Sequence, residues 1–157
     1  MDVMDREQYV REVLAERIKT NEGFRLKPYE LKYNDATGKT IQEKFSTVGY
    51  GHKILPGEEI PDTKEGLEML FMQDLEKAIQ GANSLNLPNN MPNEAYGVMV
   101  EMVFQMGTKG VSKFKNTLNY IRQGDYGNAS VEMLDSRWAT QTPHRAMELS
   151  TVLKNSK

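Results

Sequence analysis

The sequence predicts an α+β fold, mostly helical, with a small β-hairpin lobe joined by a helix to a larger helical lobe. Three observations predict it. Apolar residues recur at helical spacing over 5–20, over 67–79 and from 93 onward. Residues 24–52 instead interleave apolar and polar side chains around a turn signal. An Asn- and Pro-rich stretch, 83–92, separates the last two helical runs. The expected organisation is one domain over 1–157. Lobe 1 covers about 20–62 and holds the hairpin, the connecting helix covers about 63–82, and the helical lobe covers about 90–157 plus the N-terminal helix 5–20.

In the first helix, Val10, Val13, Leu14, Arg17 and Ile18 follow the three-four spacing, with Arg17 the one polar member. The helix should stop at Asn21-Glu22-Gly23, where glycine supplies a left-handed C-cap. Phe24, Tyr29, Leu31, Tyr33, Ile41, Phe45, Val48 and Tyr50 then mark two extended runs, with Asp35-Ala36-Thr37-Gly38 as the turn between them. Gly49 and Gly51 flank Tyr50 and imply tight backbone near a site. Pro56, Gly57 and Pro61 mark a loop. Asp62 or Thr63 caps the connecting helix, whose stripe is Leu67, Leu70, Phe71, Leu75, Ala78 and Ile79. Val98, Met99, Met102, Val103 and Met106 make the next helix apolar nearly all round, hence buried, and Gly107 ends it. Phe114, Leu118 and Ile121 mark a helix stopped by Gly124. Ala129, Met133 and Leu134 mark another, and Thr142-Pro143 opens the last as cap and first-turn proline.

Composition excludes several functions. Of 157 residues, 38% are hydrophobic and 27% charged, a globular balance with enough chain to bury a core. The net charge of −2 lacks the basicity that drives phosphate-backbone binding, so nucleic acid is not an expected partner. With no cysteine, disulfides, thiol nucleophiles and thiolate metal sites are excluded. The two histidines, His52 and His144, are too far apart in sequence to suggest a metal cluster. No run of ~18 apolar residues predicts membrane insertion. The acidic start Met1-Asp2-Val3-Met4-Asp5 has no apolar stretch, so a signal peptide is not expected and the chain should fold in the cytosol where it is made.

Carboxylates are the chemistry that remains. No serine stands in a G-x-S-x-G elbow, and Gly49-Tyr50-Gly51 is followed by His52 rather than by a phosphate-binding lysine. Two carboxyl groups across a scissile bond suffice for glycoside hydrolysis. Glu22 sits at a helix C-terminus, where the dipole disfavours a negative charge and helps keep an acid protonated. By position alone, a solvated helix-end glutamate is the more common case. Met99, Met102 and Met106 read as core rather than as a soft binding surface. Trp138 reads as a core or cleft-wall aromatic. Arg137 and Arg145 could meet acidic groups of a substrate or surface ion pairs equally well, and His144 is expected in solvent.

Two runs shift that balance. Asn21-Glu22-Gly23-Phe24-Arg25-Leu26-Lys27-Pro28-Tyr29 and Ser46-Thr47-Val48-Gly49-Tyr50-Gly51-His52 resemble the signature of phage lysozymes, glycoside hydrolase family 24. The second half is similar to the T-even type of that family, at Met102-Val103-Phe104-Gln105-Met106-Gly107, Ser136-Arg137-Trp138, Gln141-Thr142-Pro143 and Arg145-Ala146, with Phe71 and Gln73-Asp74 fitting its connecting helix. The likeness spans roughly residues 12–153. It implies a lysozyme-like fold and an endolysin that hydrolyses the β-1,4 bond between N-acetylmuramic acid and N-acetylglucosamine in peptidoglycan. By the same resemblance Glu22 is the general acid, Thr47 holds the attacking water, and His52 is structural support. Phe104 lines the cleft and Thr117 contacts substrate. Lys53 and Glu132 fall at two further substrate-contact positions, where they differ from the T-even residues.

The family's second carboxylate stands two residues after the tyrosine matching Tyr29, which here is Leu31. The distance from Tyr29 to Thr47, 47 − 29 = 18 residues, is also longer than the family's tight hairpin. Asp35 keeps a D-x-x-G turn and shares a strand face with Tyr29, whereas Glu30 is nearer in sequence, so Asp35 and Glu30 stand as alternatives. The resemblance further implies inversion, with retention as a variant, and no cofactor or metal. It implies a monomer reaching the wall from the host cytoplasm through holin lesions. A wall-binding protein without catalysis and a transglycosylase on the same substrate are the rival readings.

Overall fold

The computed structural model of the chain describes residues 4–34 and 36–156; within these ranges the side chains of 29–34 and 40–45 lie outside the description. The fold is α+β and mostly helical, with one small three-stranded sheet ordered β1 (Arg25–Asn34), β2 (Thr40–Gly49), β3 (His52–Lys53). Two compact units divide the chain: Met1–Lys32 with Gln42–Lys77, and Tyr33–Ile41 with Ala78–Lys157.

In the first unit the N-terminal helix forms in three consecutive pieces, α1 (Arg6–Tyr9), a π segment (Val10–Leu14) and α2 (Ala15–Glu22). Asp5 caps it, accepting from the Gln8 N–H at 2.8 Å. The Ala15 N–H bonds to Val10 O, five residues back, so the turn is wider than an α-turn. This corrects the expected apolar stripe. Val10, Leu14 and Ile18 are buried, with Tyr9 and Ala15, but Val13 turns outward and is 40% exposed. Gly23 ends α2 at φ +70° and ψ 174°, not in the left-handed helical cap conformation expected. That combination is open almost only to glycine, and it sends the chain straight into β1. Among the described residues, Val48, Leu67, Phe71 and Leu75 are the other buried apolar side chains of this unit.

The helix α3 (Lys64–Asn83) begins where expected, and Thr63 is the cap, its Oγ1 accepting from the Gly66 N–H at 3.0 Å. In the second unit, nine consecutive residues of α4 (Asn93–Ser112), from Ala95 to Val103, are buried, Met99 and Met102 completely. Met106 is half-buried. Gly107, at φ +79° and ψ 163°, breaks the helical path of α4 as its position in the sequence implied. Helices α5 (Lys115–Arg122), α6 (Tyr126–Glu132), α7 (Arg137–Gln141) and α8 (Pro143–Lys154) follow. α8 packs on α4, α6 and α7, and α5 packs on α6. Two details depart from expectation. α7 was not anticipated as a helix; Ser136 caps it, accepting from the Ala139 N–H at 3.1 Å. Thr142 precedes Pro143 as expected but makes no side-chain cap, because its hydroxyl donates backward to Trp138 O at 2.9 Å. The hairpin tip belongs to this unit, where the Ala36 N–H donates to Thr140 O at 2.6 Å. Among the described residues no helix is long and apolar enough to cross a membrane.

Candidate active site

The first unit builds its site around the end of α2. Glu22 is the last residue of that helix, and its half-buried carboxyl group lies against the backbone of Gly51. A methyl group on Gly51 would stand 2.5 Å from Glu22 Oε2, so no side chain fits there without displacing the carboxyl. Gly51 belongs to the turn between β2 and β3, where Val48 pairs with His52 and Thr47 with Lys53. Gly49 and Gly51 take φ +63° and +77°, which lets three residues reverse the chain. Thr47 is buried just below this turn, and Lys53 across from it is exposed.

Tyr50, at the tip of the turn, is half-buried and packs against two aromatic rings. Its ring lies 5.0 Å from that of Phe24 and 5.3 Å from that of Phe71, in tilted and edge-on arrangements. Its hydroxyl donates to Glu68 Oε1 at 2.7 Å. The second oxygen of the Glu68 carboxylate is 2.8 Å from Lys19 Nζ, which also sits 5.3 Å from the ring centres of both Tyr50 and Phe71. Burial, together with the hydrogen bond and negative charge of Glu68, pushes the Tyr50 hydroxyl up to about 12, so it stays a donor. Lys19 and the Tyr50 hydroxyl hold the Glu68 carboxyl below its ordinary value.

His52 follows directly. Its Nδ1 is 2.6 Å from Asp74 Oδ2 and its Nε2 is 2.9 Å from Glu58 Oε2. Glu58 also accepts from the Leu55 N–H at 3.0 Å, which ties down the loop containing Pro56 and Gly57. The hydrogen bond to Asp74, aided by Glu58, raises the imidazole above its usual range against the effect of burial. Both nitrogens are engaged, which suits a structural brace rather than a proton carrier.

The other anticipated residues lie in the second unit. Phe104 is half-buried on α4, Thr117 is buried on α5, and Glu132 is half-buried at the end of α6. Trp138 donates from Nε1 to Gln105 Oε1 at 2.9 Å and meets Phe114 edge-on at 6.1 Å. His144 is exposed. Asp35 and the side chain of Glu30 lie outside the described residues. Among the described residues there is no cluster of metal-binding side chains.

Lys19, Glu68, Glu58 and Gly51's contact with Glu22 were not read from sequence. Each pairing joins residues on different elements, and only the glycines flanking Tyr50 hinted at close backbone.

Comparisons with known proteins place the chain in a family. Residues 19–152 match the Phage lysozyme family. The chain is 31% identical over 158 residues to Probable T4-type lysozyme 2 of Dictyostelium discoideum, covering 90% of this chain and 93% of that protein. It is 28% identical over 166 residues to the pre-baseplate central spike protein Gp5 of Enterobacteria phage T4, covering 89% of this chain and 27% of that one. It is 31% identical over 121 residues to the peptidoglycan hydrolase gp36 of Pseudomonas phage phiKMV, covering 73% of this chain and 12% of that protein. The chain belongs to the phage lysozyme family and is a glycoside hydrolase.

Proposed function

We propose that the chain hydrolyses the β-1,4 bond between N-acetylmuramic acid and N-acetylglucosamine in bacterial peptidoglycan, with Glu22 as general acid. The observation that carries the reading is the seat of Glu22: a carboxyl group at a helix end, held against side-chain-free backbone at Gly51. A relative named as a peptidoglycan hydrolase supports the substrate.

In this mechanism Glu22 gives its proton to the bridging oxygen as the bond breaks. The anomeric carbon gains oxocarbenium character, which a second carboxylate, from Asp35 or Glu30, stabilises. A water held by the Thr47 hydroxyl and that carboxylate attacks the opposite face and gives its proton to the carboxylate as the new C–O bond forms, giving inversion. Such a water requires the two carboxyl groups to stand ~6.5–9.5 Å apart. The role needs neither metal nor cofactor. Phe104, Thr117, Lys53 and Glu132 bind the glycan. The enzyme acts as a monomeric endolysin, made in the host cytoplasm and released to the wall through holin lesions.

The experiment is release of soluble muropeptides from purified peptidoglycan, with the anomer of the first product read by NMR. Glu22→Gln should lower the rate by about 10²–10⁴-fold with the thermal midpoint nearly unchanged. Full activity of that variant refutes the acid assignment, and anhydro-sugar products would identify a transglycosylase. Comparing Asp35→Asn with Glu30→Gln assigns the second carboxylate.

A further inference from the structure

The ion pair between Lys19 and Glu68, and the hydroxyl of Tyr50 that shares it, have no part in the chemistry above. Their placement gives them one. Lys19 lies one turn before Glu22 on α2, and its carbonyl accepts the Gly23 N–H at 2.9 Å. Tyr50 is the neighbour of Gly51. Glu68, on α3, takes one hydrogen bond from each side, at 2.8 Å from Lys19 and 2.7 Å from Tyr50. One carboxylate therefore fastens the helix that carries Glu22 to the turn against which Glu22 rests.

Resting on the reading of Glu22 as the acid, we propose that Lys19, Tyr50 and Glu68 form a clasp that positions the Glu22 carboxyl for proton transfer. They are positioning residues, not catalytic ones. An exposed ion pair would fix little, because solvent screening leaves such pairs nearly without effect. This pair is only 20% and 34% exposed at its two side chains, carries a second donor on the same carboxylate, and places the ammonium against two aromatic faces. Tyr50 remains a hydrogen-bond donor across the working pH range because its hydroxyl titrates at about 12. The clasp has a sharp consequence because Gly51 leaves no slack: its Cα side is already filled by Glu22 Oε2. A shift of the turn relative to α2 moves the acid, and a displacement of ~1 Å from productive geometry can cost up to ~10²-fold in rate.

The test uses the full chain and purified peptidoglycan. Tyr50→Phe keeps the ring between Phe24 and Phe71 and removes only the hydroxyl, so the fold survives. Glu68→Gln removes the charge that Lys19 meets. Lys19→Met removes the cation, and Lys19→Arg restores it. kcat, KM and the pH profile of kcat are measured well below each thermal midpoint. Tyr50→Phe and Glu68→Gln should each lower kcat by about 10-fold, leave KM within about 2-fold, and shift the basic limb of the kcat profile, which reports the acid in the bound complex. Lys19→Met should behave likewise and Lys19→Arg should recover most of the rate. Unchanged kcat and pH profile in Tyr50→Phe and Glu68→Gln, with only lower thermal midpoints, overturn the clasp and leave a simple structural pair. Glu22→Gln run alongside separates the two readings: full activity there removes the acid and the clasp together. An inactive Glu22→Gln beside an unaffected Tyr50→Phe removes the clasp alone.

Discussion

His52 Nδ1 lies 2.6 Å from Asp74 Oδ2, and this contact joins the start of β3 to the middle of α3. It makes stability depend on pH in a defined sense. The imidazole titrates above its usual value of 6.5 in the folded chain. Its contribution is complete below ~6.5 and is lost as pH rises through the folded value. Glu58, on the other nitrogen, titrates below its ordinary 4.5, chiefly because it accepts the Leu55 N–H. Its contribution is present above ~4.5 and disappears as pH falls through the folded value. Both are intact between ~4.5 and ~6.5.

His52→Asn should therefore destabilise most near pH 5.5, by about 1.5–3 kcal/mol, as expected for hydrogen bonds to charged groups. At ~2–4 °C per kcal/mol for a chain of this size, the loss is easily read in thermal melts. The difference from the parent should shrink at alkaline pH, once pH has risen through the folded value and the imidazole has lost its proton. Equal losses at both pH values would mean that the pair does not titrate as described.

Gly51→Ala should damage activity more than stability. The added methyl meets Glu22 Oε2 at 2.5 Å, and the backbone at φ +77° adds strain of about 1–2 kcal/mol for any L side chain. Glu22 is the part able to move, so its carboxyl group shifts and the turn stays. The expected result is a fall in kcat of up to about 10²-fold with a melting loss of only ~2–8 °C. Gly57→Ala is the control: its φ of +78° imposes the same strain, but nothing lies within 4 Å of the new methyl. If the two variants lose equal activity, the contact with Glu22 is not what matters.

Most of the fold was legible because it rests on local rules. The stripe from Leu67 to Ile79, the apolar girth of α4 and the glycines at 107 and 124 each act within one turn of chain. The π segment was not legible: an apolar pattern of Val10, Val13, Leu14 and Ile18 fits an α-helix as well, whereas in the wider turn Val13 faces outward. Glu22 could be put forward as a candidate because a helix end and a sequence signature coincide there. Lys19, Tyr50 and Glu68 could not, since charge pairs between elements leave no periodic trace. β3 and α7 are two and five residues long, too short to show a period.

Ser136 gives α7 its start, and a sequence reading could have found it by its cap chemistry alone. Its Oγ accepts from the Ala139 N–H at 3.1 Å and donates to Met133 O at 2.8 Å. Ser136→Ala should cost about 1 kcal/mol in chemical denaturation. Ser136→Asp should recover only part, because the carboxylate can cap the helix but cannot donate to Met133. Full recovery by Asp would show that the Met133 bond adds nothing.

Gly81 sets two effects against each other. It lies within α3, where alanine is the better helix former by roughly 0.5–1 kcal/mol. A methyl there, however, would overlap Thr108 Oγ1 and stand 2.8 Å from Val103 Cγ1. Val103 is buried and cannot withdraw, whereas Thr108 is half-buried and can rotate. Overpacking of this kind costs about 1–3 kcal/mol, which outweighs the propensity gain. Gly81→Ala should thus lower the denaturation midpoint without changing the slope. Thr108→Ala in the same background removes the hydroxyl and should return part of the loss, visible as a non-additive term in a double-mutant cycle. A midpoint raised by Gly81→Ala alone would mean that α3 and α4 yield at this crossing more readily than a buried valine allows.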